Sequence, residues 1–393
     1  MVAAVDGGTR PETRRAVYDY IHGQGMATKQ DIASALSLSL PTVNKYVSYF
    51  LRSGFIEKKA KLASGENGGR HPVAYACVAG ARFAVGVDIN AARVSSLLIS
   101  LDREVIHRRR TVRPFERSES YLRFLGKEVE QLVGGAELDR SAILGVGIAV
   151  PGLVDQSGKV FYGKVIDVLG MSAADIGRYI DFPCHLMHDS NAAGLAEFWG
   201  IGATTNAFYL GLGNSVGGSV LLRGEIFNGD GVFSGEIGHL QAHPGGRACY
   251  CGQRGCLDPY CNATVLANAG DGTVEGFFGL LDAGDLGAAA VWESYSDTLA
   301  GALHDIRTLF GCRIILGGDV GVHLVDRLAP LMAKVDALSF REDPSAGYLL
   351  TCRHRTDAIA TGAALHFVDA FRHDPGSTPP RRRSGAYRSP RTP

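Results

Sequence analysis

His239, Cys249, Cys251 and Cys256 place one imidazole and three thiols within a short segment, separated by nine, one and four residues. Three thiolates and a neutral imidazole make a soft donor set that closes a tetrahedral shell around Zn²⁺ and leaves no open position for a reacting water. The spacing therefore predicts a structural zinc, one per chain. Gly252 and Gly255 let the backbone turn tightly enough for Cys251 and Cys256 to converge on one ion. The plainer alternative, three unliganded core cysteines, fits poorly with such compact spacing in Gly-rich, Arg-containing sequence. The other five cysteines, Cys77, Cys184, Cys261, Cys312 and Cys352, are scattered as buried thiols usually are, so a reducing compartment is expected rather than a disulfide framework.

A second set of residues could contact nucleic acid. Between Ser39 and Leu51, apolar Val43, Tyr46, Val47, Phe50 and Leu51 form an inward helical stripe, leaving Pro41, Thr42, Asn44, Lys45 and Ser48 outside. Ser39 can cap this helix, with Pro41 in its first turn. A preceding helix opens at Thr28 with Asp31 three residues on, as in a capping box, and a tight Ser37-Leu38 turn joins the two. An earlier amphipathic helix covers Arg14 to His22. After Gly54, Phe55 to Ala60 and Val73 to Val78 read as strands flanking a loop with Lys58, Lys59 and Arg70. Two helices, a short turn and a basic hairpin have the layout of a winged helix-turn-helix over residues 1–80, its third helix in the major groove and its wing on phosphates or the minor groove. A three-helix protein-interaction module is the alternative, but it leaves the basic wing without a purpose.

The charge distribution agrees. The chain is neutral overall, yet residues 1–72 carry ten Lys and Arg against six Asp and Glu, and residues 374–393 carry five against one. The 301 residues between carry 25 against 33, so two basic ends flank an acidic body. With 393 residues, 46% hydrophobic and 20% charged, the chain is long enough for two or three globular units, and wholesale disorder, collagen and coiled coil are excluded. No apolar run spans a membrane, and the amino end has no apolar stretch followed by a cleavage site, so the cytoplasm is the expected location. The tail from His373 to Pro393, rich in Pro, Ser and Arg, is expected to be disordered.

In the body, Phe83 to Ile89 reads as a strand that turns at Asp88-Ile89-Asn90-Ala91-Ala92 and returns over Val94 to Leu101. A comparable glycine-turn hairpin spans Ala207 to Gly224. Buried strands are expected at Ile143 to Val150 and Arg313 to Leu316, and helices at Tyr121 to Leu132 and Trp292 to Phe310. A repeated hairpin with mixed strands and helices predicts an α/β body of two related lobes with a cleft between them.

The order GGRHP, VGVDI, GVGIAVPGLVD, HDSNAAGLAE, GLGNSVGGSVLLRG, GEIGH, CYCGQRGCLD and IILGGDV, over about residues 13–368, resembles the ROK family of repressors, open reading frames and sugar kinases. It is most similar to the family's winged-helix xylose-repressor-like and N-acetylglucosamine-repressor-like members. The resemblance implies a two-lobed, actin-like (RNase H-like) sugar kinase fold. Residues 81–200 and 355–372 would form the first lobe, with the last helix, Asp357 to Phe371, packed back on it; residues 201–354 would form the second. It also implies a sugar site built from His188, Asp189, Asn191, Glu236, His239 and Asp258, with Asp189 at the position of the kinases' general base. His188 stands where those kinases usually have Asn, and Asp258 where they have Glu.

Family kinases begin with Asp-x-Gly-Gly-Thr-Lys, whose glycines and hydroxyl cradle phosphates. Here the run is Asp88-Ile89-Asn90-Ala91-Ala92-Arg93, and the second phosphate hairpin, Gly213 to Ser219, is only partly kept. Phosphoryl transfer rests almost wholly on positioning phosphates and metal. The expectation is therefore a non-enzymatic, sugar-responsive repressor, a homodimer or higher oligomer that binds a DNA operator and a sugar or sugar-phosphate effector. The alternative is a sugar kinase with an attached DNA-binding unit.

Overall fold

Pro11 opens the first helix because its fixed φ and missing N–H cost nothing in a first turn, and α1 (Pro11–Gly23) follows. The computed structural model describes residues 10–61, 73–199, 205–339 and 343–376. After the short strand β1 (Ala27–Thr28), α2 (Lys29–Ala35) starts from the expected capping box: the Thr28 hydroxyl accepts the Asp31 N–H at 3.2 Å, and the Asp31 carboxylate accepts the Thr28 N–H at 2.9 Å. Ser37, at φ 53, reverses the chain. Ser39 then accepts the Thr42 N–H at 3.3 Å to cap α3 (Leu40–Arg52). β2 (Ile56–Lys61) and β3 (Val73–Cys77) pair antiparallel, with β1 on the far side of β3. The strand pair thus lies within a residue of its expected bounds. Residues 62–72, where the loop between these strands is expected, lie outside the described residues, and Arg70 with them.

The next sheet contains β4 (Phe83–Ile89), β5 (Arg93–Ser100) and β6 (Val105–Val112) as an antiparallel meander. α4 (Glu119–Gly135) leads to β7 (Ile143–Val150), which lies parallel to β4. A small hairpin of β8 (Leu153–Val154) and β9 (Val160–Tyr162) precedes α5 (Ala173–Ile176), the parallel strand β10 (Cys184–His188) and α6 (Asp189–Phe198). Strand order is β10-β7-β4-β5-β6. Every residue of β4 and β7 is buried, as in a parallel centre covered on both faces. Phe83, Val85 and Val87 pack with Tyr121, Leu125 and Val129 of α4.

The second sheet repeats this plan. β11 (Ala207–Leu212), β12 (Val216–Leu222) and β13 (Glu225–Ile226) form the meander. After α7 (Asp258–Cys261), α8 (Ala263–Ala267), α9 (Val274–Asp282) and the long α10 (Leu286–Phe310) comes β14 (Arg313–Gly317). α11 (Gly318–Gly321) and α12 (Leu328–Leu338) precede β15 (Leu349–Thr351). The order β13-β12-β11-β14-β15 mirrors the first sheet, with β14 and β15 parallel to β11 as β7 and β10 are to β4.

The last helix, α13 (Ala358–His373), crosses back onto the first sheet. Its backbone comes so close that a Cβ on Gly86 would stand 1.7 Å from the Ala360 carbonyl oxygen, and one on Gly147 1.9 Å from that of Ala363. Its own Gly362 makes the same approach to α6, at the carbonyl oxygen of Ala192. At its far end the Phe371 ring meets Phe55 at 5.0 Å and Tyr18 at 5.9 Å, both edge-on, and Arg372 pairs with Asp19 at 3.1 Å. Arg14 pairs with Asp374. One apolar core therefore runs from Val17, Ile21 and Phe50 into Ala84, Leu97 and Val368, and residue 80 marks no break in packing. Among the described residues no helix is long and apolar enough to cross a membrane.

Candidate effector cleft and metal centre

The ligand atoms of His239, Cys249, Cys251 and Cys256 lie within 4.8 Å of one another. Cys251 and Cys256 sulfurs are 3.8 Å apart, and the Cys249 sulfur is 3.6 Å from His239 Nδ1. Zn–S bonds of about 2.3 Å and a Zn–N bond of about 2.1 Å at tetrahedral angles give edges of about 3.8 and 3.6 Å, so the four residues fit the metal. The loop is shaped locally. Gly252 and Gly255 sit at φ 97 and 85, and the Cys249 N–H donates to the Gln253 carbonyl at 2.9 Å. Among the described residues no disulfide joins any of the eight cysteines.

Beside this loop a cavity of about 400 Å³, open to solvent, is lined by His188, Asp189 and Glu236 together with Tyr162, Lys164 and Tyr250. His188 ends β10 and Asp189 begins α6, at the carboxyl end of a parallel strand, where α/β sheets hold ligands. His188 Nε2 stands 3.2 Å from an Asp189 oxygen, which also accepts the Ser190 N–H at 2.6 Å. Burial pushes the Glu236 carboxyl above its ordinary range. The remaining expected sugar residues do not line this cavity. His239 reaches it through Glu236, with Nε2 3.9 Å from the carboxylate, while Nδ1 faces the thiols. Asn191 donates to the Asn228 side chain at 3.0 Å. Asp258 is 3% exposed and spends its oxygens on the Val216 N–H at 2.7 Å and the Asn262 amide at 3.2 Å. Its place is to brace the second hairpin.

A larger cleft of about 800 Å³ continues from Asp189 between the two hairpin turns, with Asp88, Asn90, Arg93, Ser215, Asp319 and Arg355 on its walls. The first turn is plugged by its own side chain: Asn90 Oδ1 accepts the N–H groups of Ala92 at 3.0 Å and Arg93 at 2.9 Å. The Arg93 guanidinium reaches across to Asp319 at 3.5 Å, joining the two sheets. Asp88 is 3% exposed; burial, against a smaller opposing pull from Arg93, raises its pKa to about 7.

On α3, Pro41, Asn44 and Lys45 are exposed and Thr42 and Ser48 half-buried, while Val43, Tyr46, Val47 and Phe50 face inward. Lys58 and Lys59 are exposed on β2, Lys59 pairing with Glu57 at 2.6 Å. Sequence reasoning missed three features of the cavity and cleft: Tyr162, Lys164 and Tyr250 on the cavity wall, the Asn90 plug, and the Arg93–Asp319 pair. An Asn two and three residues before the amides it caps is a readable Asx signal. The others depend on contacts distant in sequence.

The ROK family profile matches residues 84–369. The putative xylose repressor of Caldicellulosiruptor sp. (strain Rt8B.4) is 25% identical over 248 residues, 61% of this chain and 61% of that protein, so the match spans about three fifths of such a relative's length. The N-acetylmannosamine kinase of Escherichia coli O157:H7 is 27% identical over 296 residues, 72% of this chain and 97% of the kinase. In three dimensions, a ROK family transcriptional regulator described as a homologue of the E. coli MLC protein superposes with a TM-score of 0.73 at 20% identity, over 93% of this chain and 98% of that one. A ROK family glucokinase from Streptomyces griseus, in complex with glucose and AMPPNP, superposes with a TM-score of 0.60 at 21% identity, over 72% of this chain and 98% of the glucokinase. The family match extends from β4, through both sheets and the loop that carries Cys249, Cys251 and Cys256, to α13, and this chain belongs to the ROK family.

Proposed function

We propose that this protein is a cytoplasmic DNA-binding transcriptional regulator, a repressor whose ROK body binds a sugar or sugar phosphate as effector. Residues 1–80 act as the DNA-binding unit, with Pro41, Thr42, Asn44, Lys45 and Ser48 meeting an operator and Lys58, Lys59 and Arg70 its flanks. Residues 81–200 with 355–372 and residues 201–354 act as the two lobes, and a homodimer presents two recognition helices to the two halves of an operator. The observation that carries a sensor over an enzyme is the first hairpin. The two amides freed by its turn are consumed by Asn90, and Arg93 and Asp319 occupy the gap between the hairpins with each other's charge. A phosphate chain would have to displace both arrangements before it could be positioned. The similarity to xylose repressors and to a ROK transcriptional regulator supports the same reading.

In this reading Asp189 and Glu236 accept hydrogen bonds from vicinal hydroxyls, and Zn²⁺ at His239, Cys249, Cys251 and Cys256 supplies a structural cross-link. His239, oriented by Glu236, ties that loop to the sugar. The second reading, a sugar kinase that also binds DNA, is favoured by one observation: Asp189 lines both the small cavity and the cleft beside it, where a base between sugar and phosphate would sit. A thermal-shift screen of sugars and sugar phosphates, followed by a coupled ATP-turnover assay with each sugar that binds, separates the two. A sugar-dependent shift without turnover is expected. Robust phosphorylation by the unmodified protein overturns the sensor reading.

A further inference from the structure

Among the described residues lining the cavity beside Asp189 there are two carboxylates, Asp189 and Glu236, and one lysine or arginine, Lys164. Lys164 belongs to the turn after β9, and each residue from Tyr162 to Val165 lines the cavity. The Lys164 ammonium lies 3.4 Å from the Cys251 carbonyl oxygen, on the metal-binding loop, and 5.8 Å from the centre of the Tyr162 ring. These contacts fix where the charge sits without neutralising it, and an ammonium has further donors to offer. Among the described residues Lys164 has no carboxylate within 4.0 Å, whereas Arg93 has Asp319, Arg307 has Asp343 and Lys334 has Glu293 and Asp297. Lys164 is exposed, whereas the side chains of Asp189 and Glu236 are only 21% and 25% exposed. The positive charge therefore stands at the solvent end of a cavity whose inner polar groups suit hydroxyls and repel anions.

Resting on the reading of this cavity as a sugar site, we propose that Lys164 selects a sugar carrying an acidic substituent, a phosphate or a carboxylate, over its neutral parent. The ring hydroxyls face Asp189 and Glu236, and the acidic group extends to the mouth. A lysine offers a mobile point charge that suits either anion.

The test uses the full chain with matched probes: hexoses, pentoses and N-acetylhexosamines, their phosphates, the corresponding uronates, and inorganic phosphate alone, each followed by thermal shift and calorimetric titration. At least one acidic sugar is expected to bind tenfold or more tighter than its neutral parent, with an affinity that falls as salt rises. The phosphate and uronate arms tell the two sources of the charge apart. Lys164→Gln should bring that acidic sugar down to the affinity of its parent, and Lys164→Arg should keep most of the preference. A neutral parent that binds as tightly as its acid, a preference that survives Lys164→Gln, or an equal response to inorganic phosphate alone overturns the role of Lys164 while leaving a sugar site in place. Silence of the whole panel on the unmodified protein overturns the sugar-site reading itself, and this inference with it.

Discussion

Asn90 Oδ1 stands 2.9 Å from the backbone nitrogen of Arg93 and 3.0 Å from that of Ala92, so the turn of the first hairpin satisfies its own donors. A loop whose N–H groups are already bonded offers an incoming anion nothing without first breaking those bonds, at a net cost of about 1 kcal/mol each. Titration of the unmodified protein with ATP and Mg²⁺ is therefore expected to show no binding in the micromolar range. The triple variant Asn90→Gly, Ala91→Gly, Ala92→Thr should gain nucleotide affinity at least tenfold, while repression is unchanged. Equal ATP affinity in the two proteins would remove the plug from the argument.

Metal analysis of the purified protein should return one zinc per chain. Cys251→Ser should lose the ion and with it most of the sugar-induced thermal shift, because the same loop carries the carbonyl that holds Lys164 and connects through His239 to Glu236. Full retention of the sugar response in metal-free protein contradicts the shared scaffold.

On an operator selected from random duplex DNA, Asn44→Ala should cost about 1–3 kcal/mol and relax base preference at one position. Lys45→Ala should weaken binding to all sequences and lower the salt slope by about one. Both variants should keep the sugar-induced thermal shift.

Asp88 supplies a pH test. Its folded pKa of about 7 lies above the ordinary 3.8, with burial as the main cause. Protonation is thus favoured by folding: the contribution is complete below about pH 4, is lost as pH rises to about 7, and leaves a constant penalty beyond. Asp88→Asn should exceed the unmodified protein in unfolding free energy by only about 1 kcal/mol near pH 4.5 and by a few kcal/mol at pH 8, with about 4 kcal/mol as the ceiling. Denaturant titrations at the two pH values measure this, and a difference independent of pH counts against it.

Phe371→Ala removes a ring packed edge-on against Tyr18 and Phe55. A buried Phe→Ala change costs about 3–5 kcal/mol. Because that ring joins the core of the amino-terminal helices to that of the first sheet, calorimetry should show one unfolding transition dividing into two. A single transition merely shifted to lower temperature would falsify the idea that α13 makes the two units one cooperative body.

Strands were the most legible elements. Ile143 to Val150 and Phe83 to Ile89 are found as read, since an uninterrupted apolar run bounded by turn residues suits a covered central strand. Helix ends were less so. α4 begins at Glu119 rather than Tyr121, behind the Ser118 cap, and α10 begins at Leu286 rather than Trp292 because Asp285 caps a Gly-Ala-rich first turn with little amphipathic signal. α1 starts at Pro11 and not Arg14, and α13 runs through His373, the first residue of the expected disordered tail, of which residues 377–393 lie outside the described residues. The convergence of His239, Cys249, Cys251 and Cys256 was readable because the three thiols are neighbours in sequence. Asp258 and Lys164 were not, because what they do is set by Val216 and Cys251, 42 and 87 residues away.

The close seating of α13 makes it a stiff connection between the cleft and the amino-terminal helices. Ala358 and Ile359 in its first turn line the cleft, and Phe371 in its last turn holds the amino-terminal helices, a span of about 20 Å at 1.5 Å per residue. Where Gly86, Gly147 and Gly362 remove every intervening side chain, backbone rests on backbone, and no rotamer is available to absorb a push. These contacts lie about 6 Å from the cleft end of the helix and about 14 Å from Phe371, so α13 is clamped by backbone between the residues that line the cleft and the ring that meets the amino-terminal helices.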